Sequence, residues 1–283
     1  MYRGVTKKPT KIAIYGLLIL MGIWALFPFY WVISTSFKQP KDALGTKLVP
    51  FMDFQPTLDN WKQEVGRRWP ELSKGLKNSL IVAVTTSLLT LVMGSMAGFS
   101  LARYKFHFWT NKNILIFFLS QRMLPPVVLV IPFLLMFKAM KLVDSQISLI
   151  MVNTTINLPF VVLIMRDIFK EIPVELDEAA RVEGCSSFGI FYKIALPLAG
   201  SGLVAAGILV FTFTWNEYLF ALTLAYQRAI TIPLQIAGTG NVQGIQFWIT
   251  SVRGLVAVIP PVVLALFAQR FIVRGLTFGA LKG

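Results

Sequence analysis

The sequence predicts an all-α membrane protein with six transmembrane helices. Of its 283 residues, 55% are hydrophobic and only 14% are charged, whereas about 25% of the residues of a soluble domain carry a charge. The mean hydropathy is +0.67. Apolar runs of about 20 residues, the length that crosses a bilayer as a helix, recur along the whole chain.

These apolar runs give the expected positions of the spans. We expect spans at about 12–35, 78–102, 113–137, 146–165, 199–224 and 252–272. Residues 1–283 then form one transmembrane domain, with loops 38–77 and 225–251 on one side and the polar loop 166–198 on the other. The uncharged run from Ile12 to Phe37 is longer than the roughly 7 to 15 apolar residues of a signal peptide, so we expect it to be retained as a span.

The distribution of basic residues indicates membrane topology rather than nucleic-acid binding. The net charge is +14, but Lys and Arg are spread over short loops between apolar runs, where they meet anionic lipid head groups. The loop from Arg103 to Lys112 contains basic residues and no acid, which is typical of a cytoplasmic loop. Lys and Arg divide almost evenly between the two sides, so their count alone does not fix the orientation.

No catalytic or metal-binding motif is present in the sequence. It lacks a phosphate-binding G-x-x-x-x-G-K-[ST] motif, an H-E-x-x-H motif and a G-x-S-x-G motif. The only histidine, His107, lies among basic residues, and the only cysteine, Cys185, cannot form an intrachain disulfide. We expect the chain to catalyse no reaction and to bind no metal or cofactor itself.

A polar segment from Glu178 to Pro197 interrupts the apolar second half of the chain. Pro173 suits a first helical turn, and the acidic residues that follow suit the positive end of a short helix. Gly184 predicts a left-handed stop for that helix, and Ser186 or Ser187 predicts the cap of a second one. The pattern indicates helix, turn and helix, too polar to span a membrane.

Two further features of the first of these helices suggest a docking surface. Asp177 and Arg181 have the spacing of a favourable pair one turn apart. Leu176, Ala180 and Gly184 form a smooth stripe that would let another surface approach closely. We therefore interpret the segment as a docking element for a cytoplasmic partner.

Polar residues inside the spans are candidates for a solute pathway because they are costly in lipid. The candidates are Arg122, Asn153, Asn157, Trp215, Asn216, Glu217 and Tyr218. Aromatic rings and hydrogen-bonding groups together suit a hydroxylated solute. Hydrogen bonds between packed helices explain the same residues equally well. Arg122 and Glu217 are expected at different depths, roughly 14 and 27 Å from the inner ends of their helices, so we do not expect them to form an ion pair.

The polar segment resembles a known signature. Glu178, Ala179, Ala180, Gly184, Ile194, Leu196 and Pro197 match the E-A-A-x3-G-x9-I-x-L-P pattern of permease subunits in bacterial ABC importers. Two further stretches, Trp215–Leu222 and Gly275–Gly283, are similar to the shorter permease of maltose-type importers for sugars and polyols.

This resemblance implies a type I ABC importer permease fold with a cytoplasmic coupling helix, Glu178 to about Gly184, between spans four and five. It implies a heterodimer with a second homologous permease, a dimer of ATP-binding subunits that use ATP and Mg, and an extracytoplasmic solute-binding protein. The location would be a bacterial or archaeal cytoplasmic membrane with both termini in the cytoplasm. The outer loop, with Gly238, Thr239, Gly240 and Asn241 at its tip, would contact the binding protein.

The resemblance leaves the solute open. A sugar, oligosaccharide or polyol is expected, with a non-carbohydrate solute as the alternative. An ion-coupled secondary transporter or a membrane scaffold that transports nothing would also be apolar and polytopic. Two isolated charges in spans, without an evident internal repeat, argue against the secondary transporter.

Overall fold

The computed structural model describes residues 8–241 and 244–280, which form helices and one short hairpin. In chain order, the elements are α1 (Lys8–Ser36), α2 (Pro40–Ala43), α3 (Asp59–Trp61), a π-helical turn (Lys62–Arg67), α4 (Trp69–Arg103), α5 (Asn111–Met123), α6 (Pro126–Ala139), α7 (Gln146–Glu171), α8 (Val174–Val182), α9 (Ser187–Ile190), a second π-helical turn (Phe191–Ala195), α10 (Leu196–Leu198), α11 (Gly200–Trp215), α12 (Leu219–Leu224), α13 (Ile232–Ala237), β1 (Gly240–Asn241), β2 (Gly244–Ile245) and α14 (Phe247–Ala280).

Within the described part of the chain, four single helices are long and apolar enough to cross a membrane. They are α1, α4, α7 and α14, and two bent helix pairs bring the number of possible crossings to six. Helices α5 and α6 meet at 93°, and the segment Ser187–Leu198 meets α11 at 79°. The predicted all-α membrane architecture is therefore confirmed, and the described helices allow four to six crossings, with sharp bends that apolar length alone did not predict.

The bend between α5 and α6 has a local cause. Leu124 and Pro125 are extended, and Pro126 opens α6 at a position where its missing N–H costs nothing. The third span, expected as one helix over 113–137, is thus two helices. The fifth span is interrupted as well, because α11 ends at Trp215 and α12 begins only at Leu219.

Several helices are longer than the apolar runs that predicted them. Helix α4 begins at Trp69 although the span was expected from residue 78, because its first two turns are polar and project beyond the apolar run. Helix α7 continues to Glu171, so residues 166–171 belong to it rather than to the predicted loop 166–198. The predicted outer loops 38–77 and 225–251 contain short helices of their own.

The chain divides into two compact units. One contains the residues up to Leu72 together with Ile236–Val256, and the other contains Ser73–Gln235 with the residues after Val256. The second unit contains two apolar clusters, one around Phe99, Phe169 and Phe191 and another around Phe137 and Phe220.

Glycines allow α4 and α7 to pack backbone to backbone within the second unit. A Cβ added at Gly94 would lie 2.6 Å from the side chain of Val161. A Cβ added at Gly98 would lie 2.8 Å from the backbone nitrogen of Arg166. These small residues therefore fix α4 closely against α7.

The first unit is stabilised by polar contacts around the end of α1. The amide of Asn60 donates to the carbonyl oxygens of Ser36 and Lys38 at 2.9 and 2.8 Å. The fully buried carboxylate of Glu64 accepts from Nε of Arg253 at 2.6 Å. These bonds tie the segment after α1 to the start of α14.

Candidate functional site

The polar segment folds as the sequence predicts, and its first helix ends in a Schellman motif. Gly184 has a φ of +85°, a conformation that favours glycine. The Gly184 N–H donates to Arg181 O at 3.0 Å, and the Cys185 N–H donates to Ala180 O at 2.9 Å. Helix α8 therefore has a defined last turn and a defined exit direction.

The second part of the segment also has a defined start. The hydroxyl of Ser186 accepts a hydrogen bond from the Gly189 N–H at 3.2 Å and caps α9, which confirms one of the two predicted caps. The chain continues through the π-helical turn into α10, where Ile194 and Leu196 are half-buried and Pro197 is exposed. The segment is one continuous, ordered helix–turn–helix.

One face of this segment packs inside the same chain. Ala180, Ile190 and Phe191 belong to the apolar cluster around Phe99 and Phe169. Of the predicted smooth stripe, Ala180 is only 5% exposed, whereas Leu176 and Gly184 are exposed. The interpretation of the stripe as a docking surface is therefore wrong for Ala180, because this residue packs against the chain's own core.

The opposite face of the segment is open. Glu178, Ala179 and Gly184 are exposed. Larger apolar side chains accompany them, because Val182 is 90% exposed and Phe188 and Tyr192 are 64% and 62% exposed. Phe188 and Tyr192 stack with only 4° between their ring planes. An exposed apolar surface beside an acidic side chain is suited to bind in a groove of another protein.

A buried ion pair fixes α8 to the end of α4. Nε of Arg103 lies 2.6 Å from Oδ2 of Asp177, and the two side chains are 4% and 3% exposed. Arg103 also donates from Nη2 to Ile172 O at 2.9 Å. The local spacing had suggested a pair between Asp177 and Arg181. Asp177 pairs with Arg103 instead, because an ion pair shielded from water is stronger than an exposed one.

A second candidate region is a cavity of about 440 Å³ between α5–α6, α7 and α11–α12. Five of the seven predicted pathway residues line it, namely Arg122, Asn153, Asn157, Glu217 and Tyr218. Apolar and aromatic side chains complete the lining, including Ile156, Phe213 and Phe220. A lining of this kind offers both apolar surface and hydrogen-bonding groups to a solute.

The other two predicted pathway residues do not line this cavity. Trp215 is 3% exposed and donates its indole N–H to Ala257 O at 3.2 Å. Asn216 is exposed and donates to Thr212 O at 2.9 Å. Trp215 therefore contributes to helix packing, and Asn216 lies at the C-terminal end of α11.

Glu217 has a definite structural role. Its carboxylate accepts from the N–H groups of Phe220 at 2.7 Å and Ala221 at 3.1 Å. These N–H groups lie in the first turn of α12, where they have no partner within the helix. Glu217 therefore supplies the hydrogen-bond acceptor that the start of α12 needs. The break between α11 and α12 and the acid within it are thus parts of one feature.

Arg122 and Glu217 line the same cavity without an ion pair, as expected. The guanidinium of Arg122 lies 5.4 Å from the ring centroid of Phe160 and 5.5 Å from that of Phe213. A cation between aromatic faces is partly compensated without an acid. On α7, Asn157 donates to Asn153 O at 2.9 Å and to Thr214 Oγ1 at 3.5 Å.

A third region is the start of the loop after α12. The carboxylate of Asp144 accepts hydrogen bonds from the backbone N–H groups of residues 226 to 229 at distances of 2.9 to 3.2 Å. Partial burial of Asp144 opposes its ionisation, but these four donors outweigh that effect and lower the pKa of the carboxyl to about 2.

Helix α4 holds the same loop from another direction. Asn78 donates to Arg228 O and Ile230 O, both at 2.8 Å, and accepts from Gln146 at 2.7 Å. The hydroxyl of Ser79 accepts from the Ile232 N–H at 2.8 Å. The loop from 226 to 232 is therefore held through its main chain.

The predicted binding-protein contact lies farther along the chain. Gly240 and Asn241 form β1, which pairs with β2, and Gly238 and Gly240 are exposed. Thr239 is 8% exposed and shares a hydrogen bond of 2.6 Å with Thr250. Residues 242 and 243, the side chain of Asn241 and all side chains of the C-terminal stretch Gly275–Gly283 lie outside the described part of the structure.

Sequence reasoning missed Arg103, Asp144 and Asn78. Arg103 was counted only as a loop charge, and its partner lies 74 positions later. Asp144 and Asn78 bind main-chain groups, which leave no sequence pattern. Within the described residues, no group of three or more His, Cys, Asp or Glu side chains could hold a metal ion.

Comparison with solved structures shows the fold. The chain superposes with a TM-score of 0.75 on a chain of a bacterial ABC transporter involved in the import of the acidic polysaccharide alginate, at 18% identity, covering 96% of this chain and 99% of that one. It superposes with a TM-score of 0.59 on a chain of the MetNI methionine ABC transporter, at 21% identity, covering 74% and 98%.

Comparison with known sequences shows the family. The chain is 37% identical to the trehalose transport system permease protein SugB of Mycobacterium tuberculosis, over 92% of this chain and 93% of that protein. It is 34% identical to the trehalose/maltose transport system permease protein MalG of Thermococcus litoralis, over 94% of both. Residues 91–278 match the family model of the binding-protein-dependent transport system inner membrane component. The chain is therefore a multi-pass membrane protein of that family.

Proposed function

We propose that this chain is the permease subunit of an ATP-driven, binding-protein-dependent importer and that it forms part of the translocation pathway for a sugar, oligosaccharide or polyol. The observation that carries the proposal is the segment α8–α10, which has the signature residues, one face in the core and one face open. A surface anchored in this way can receive a displacement and pass it to the spans.

The carbohydrate class is supported by relatives and by the cavity. The related permeases are named for trehalose, for trehalose and maltose, and for sulfoquinovosyl glycerol. The cavity combines Tyr218 and Phe213 with Asn153, Asn157 and Glu217. Aromatic faces contact the C–H groups of a sugar ring, and amides and carboxylates bind its hydroxyls.

The partners follow from the same proposal. ATP and Mg would be used by a dimer of separate ATP-binding subunits that contact Glu178, Ala179 and the exposed apolar residues beside them. A second permease would complete the pathway, and a solute-binding protein would contact the loop that contains Gly238–Asn241. In this arrangement α8 and both termini face the cytoplasm, and this chain itself catalyses no reaction.

The test is uptake by the complete complex reconstituted in proteoliposomes. We expect uptake of trehalose or maltose to require both ATP and the loaded binding protein, with methionine as the non-carbohydrate comparison. Uptake that persists without ATP and collapses with the proton or sodium gradient would contradict the proposal. Transport of methionine but of no sugar would contradict the carbohydrate class alone.

A further inference from the structure

Helix α4 is bound at one end to the segment that carries the signature. Beyond the ion pair between Arg103 and Asp177, Phe99 lies one turn earlier on the same face. Its ring centroid is 5.3 Å from that of Phe191 and 5.5 Å from that of Phe169. The last turn of α4 thus contacts both halves of the helix–turn–helix segment.

The other end of the same helix is bound to the loop after α12. Asn78 and Ser79 are 4% and 3% exposed, and they bind main-chain groups of Arg228, Ile230 and Ile232. Asn78 and Arg103 are 25 positions apart in one uninterrupted helix, which corresponds to roughly 37 Å. One rigid element therefore joins two polar contacts that lie on opposite ends of a span.

The absence of an interior proline distinguishes α4 from the other long helices. Helices α1, α7 and α14 each contain an interior proline, whereas the only proline of α4 is Pro70 in its first turn. Interior prolines remove a backbone hydrogen bond and permit a kink. Close packing of Gly94 and Gly98 on α7 further restrains α4 from bending.

We propose that α4 is a rigid link that makes the coupling helix α8 and the outer loop 228–232 change position together, with Arg103, Asp177 and Asn78 as its positioning residues. This inference rests on the proposed function, in which α8 meets the ATP-binding subunits and the outer loop region meets the binding protein. This link is additional to the covalent connections of α8, which join it to α7 on one side and to α9 on the other.

The link depends on side chains because α4 is not adjacent in sequence to either element that it binds. Helix α4 ends at Arg103, and α8 begins at Val174. A single substitution can therefore cut the link while every chain connection stays intact. This property separates the proposal from a general role of the spans in transport.

The test measures the stimulation factor, which is the ATPase rate of the complete complex with saturating loaded binding protein divided by the rate without it. Rates are taken per assembled complex, as determined by co-purification. We expect Asp177→Asn and Asn78→Ala each to lower this factor at least about fivefold, the lower end of typical coupling between sites. Asn113→Ala, which changes an exposed asparagine of α5, is the matched control and should leave the factor unchanged.

Two combinations make the result specific. The exchange Arg103→Asp with Asp177→Arg should restore part of the stimulation lost in Asp177→Asn, since it restores an ion pair. The double variant Asp177→Asn with Asn78→Ala should lose no more than either single one, because a link cut at one end transmits nothing. Normal stimulation in the assembled single variants, or losses that multiply in the double variant, would overturn the proposal. If the unaltered complex shows neither stimulation nor uptake, the proposed function itself fails.

Discussion

Gly98 of α4 lies against the backbone of Arg166 of α7, so that a Cβ at position 98 would be 2.8 Å from the Arg166 nitrogen. A backbone atom in a helix cannot move aside as a side chain can. We expect Gly98→Ala to lower the free energy of unfolding by about 1–3 kcal/mol through overpacking. Thermal unfolding in detergent measures the change.

The matched control is Gly16→Ala on α1, where no atom lies within 4 Å of the added Cβ. Alanine is the better helix former, so this variant should be as stable as the unaltered chain or slightly more stable. Equal stability of the two variants would contradict the close packing of α4 on α7.

Gly184→Val should disturb the turn between α8 and α9. The φ of +85° is strained for a β-branched residue, although the space around the Cβ is open. We expect less solute transported per ATP hydrolysed, because the exit direction of α8 changes while the contact surface remains. Gly184→Asn is the control, since asparagine tolerates this conformation better. Unchanged coupling in Gly184→Val would remove the turn from the mechanism.

Asp144 should make stability depend on pH below about 4. Its pKa in the folded chain, about 2, is below the ordinary value for an aspartate. Its stabilisation is therefore fully present above the ordinary pKa and is lost as the pH falls toward 2. We expect the difference in melting temperature between the unaltered chain and Asp144→Asn to shrink over this interval.

The same experiment needs a control for other acids. Asp59→Asn removes an exposed carboxylate elsewhere in the chain. Its melting temperature should differ little from that of the unaltered chain at neutral pH, whereas Asp144→Asn should melt several degrees lower. A pH-independent difference for Asp144→Asn would show that the four N–H donors do not depend on the charge.

Glu217 allows helix capping and solute contact to be separated. Glu217→Ala should cost about 1 kcal/mol of stability through the lost cap of α12. Glu217→Gln keeps an acceptor for the Phe220 N–H and should keep most of that stability. If Glu217 acts only as a cap, the Gln variant should retain the KM for uptake. A raised KM with normal stability would indicate solute contact.

Sequence patterns predicted the helices better than the breaks in them. The polar segment was predictable in detail because Gly184 and Ser186 act on their immediate neighbours. The fifth span was expected to be continuous because Asn216–Tyr218 is a short interruption in an apolar stretch. Its break depends on Glu217 folding back onto Phe220 and Ala221, which apolar length does not reveal.

Long-range pairing was the main feature that sequence reasoning could not supply. The sequence predicts a pair between Asp177 and Arg181 because spacing along a helix indicates only contacts between residues about one turn apart. In the structure Asp177 pairs with Arg103, and both charges are buried beside the aromatic cluster. In such surroundings, leaving one partner without the other costs about 3–5 kcal/mol, far more than an exposed local pair contributes.

The contacts of Asp144 also bear on how this loop can evolve. Among the described residues, the carboxylate accepts hydrogen bonds only from main-chain N–H groups, and the side chains of Tyr226, Gln227 and Arg228 are exposed. Substitutions at these three positions leave the four donors in place. The exposed side chains of this loop can therefore vary during evolution while one aspartate preserves the shape of the loop.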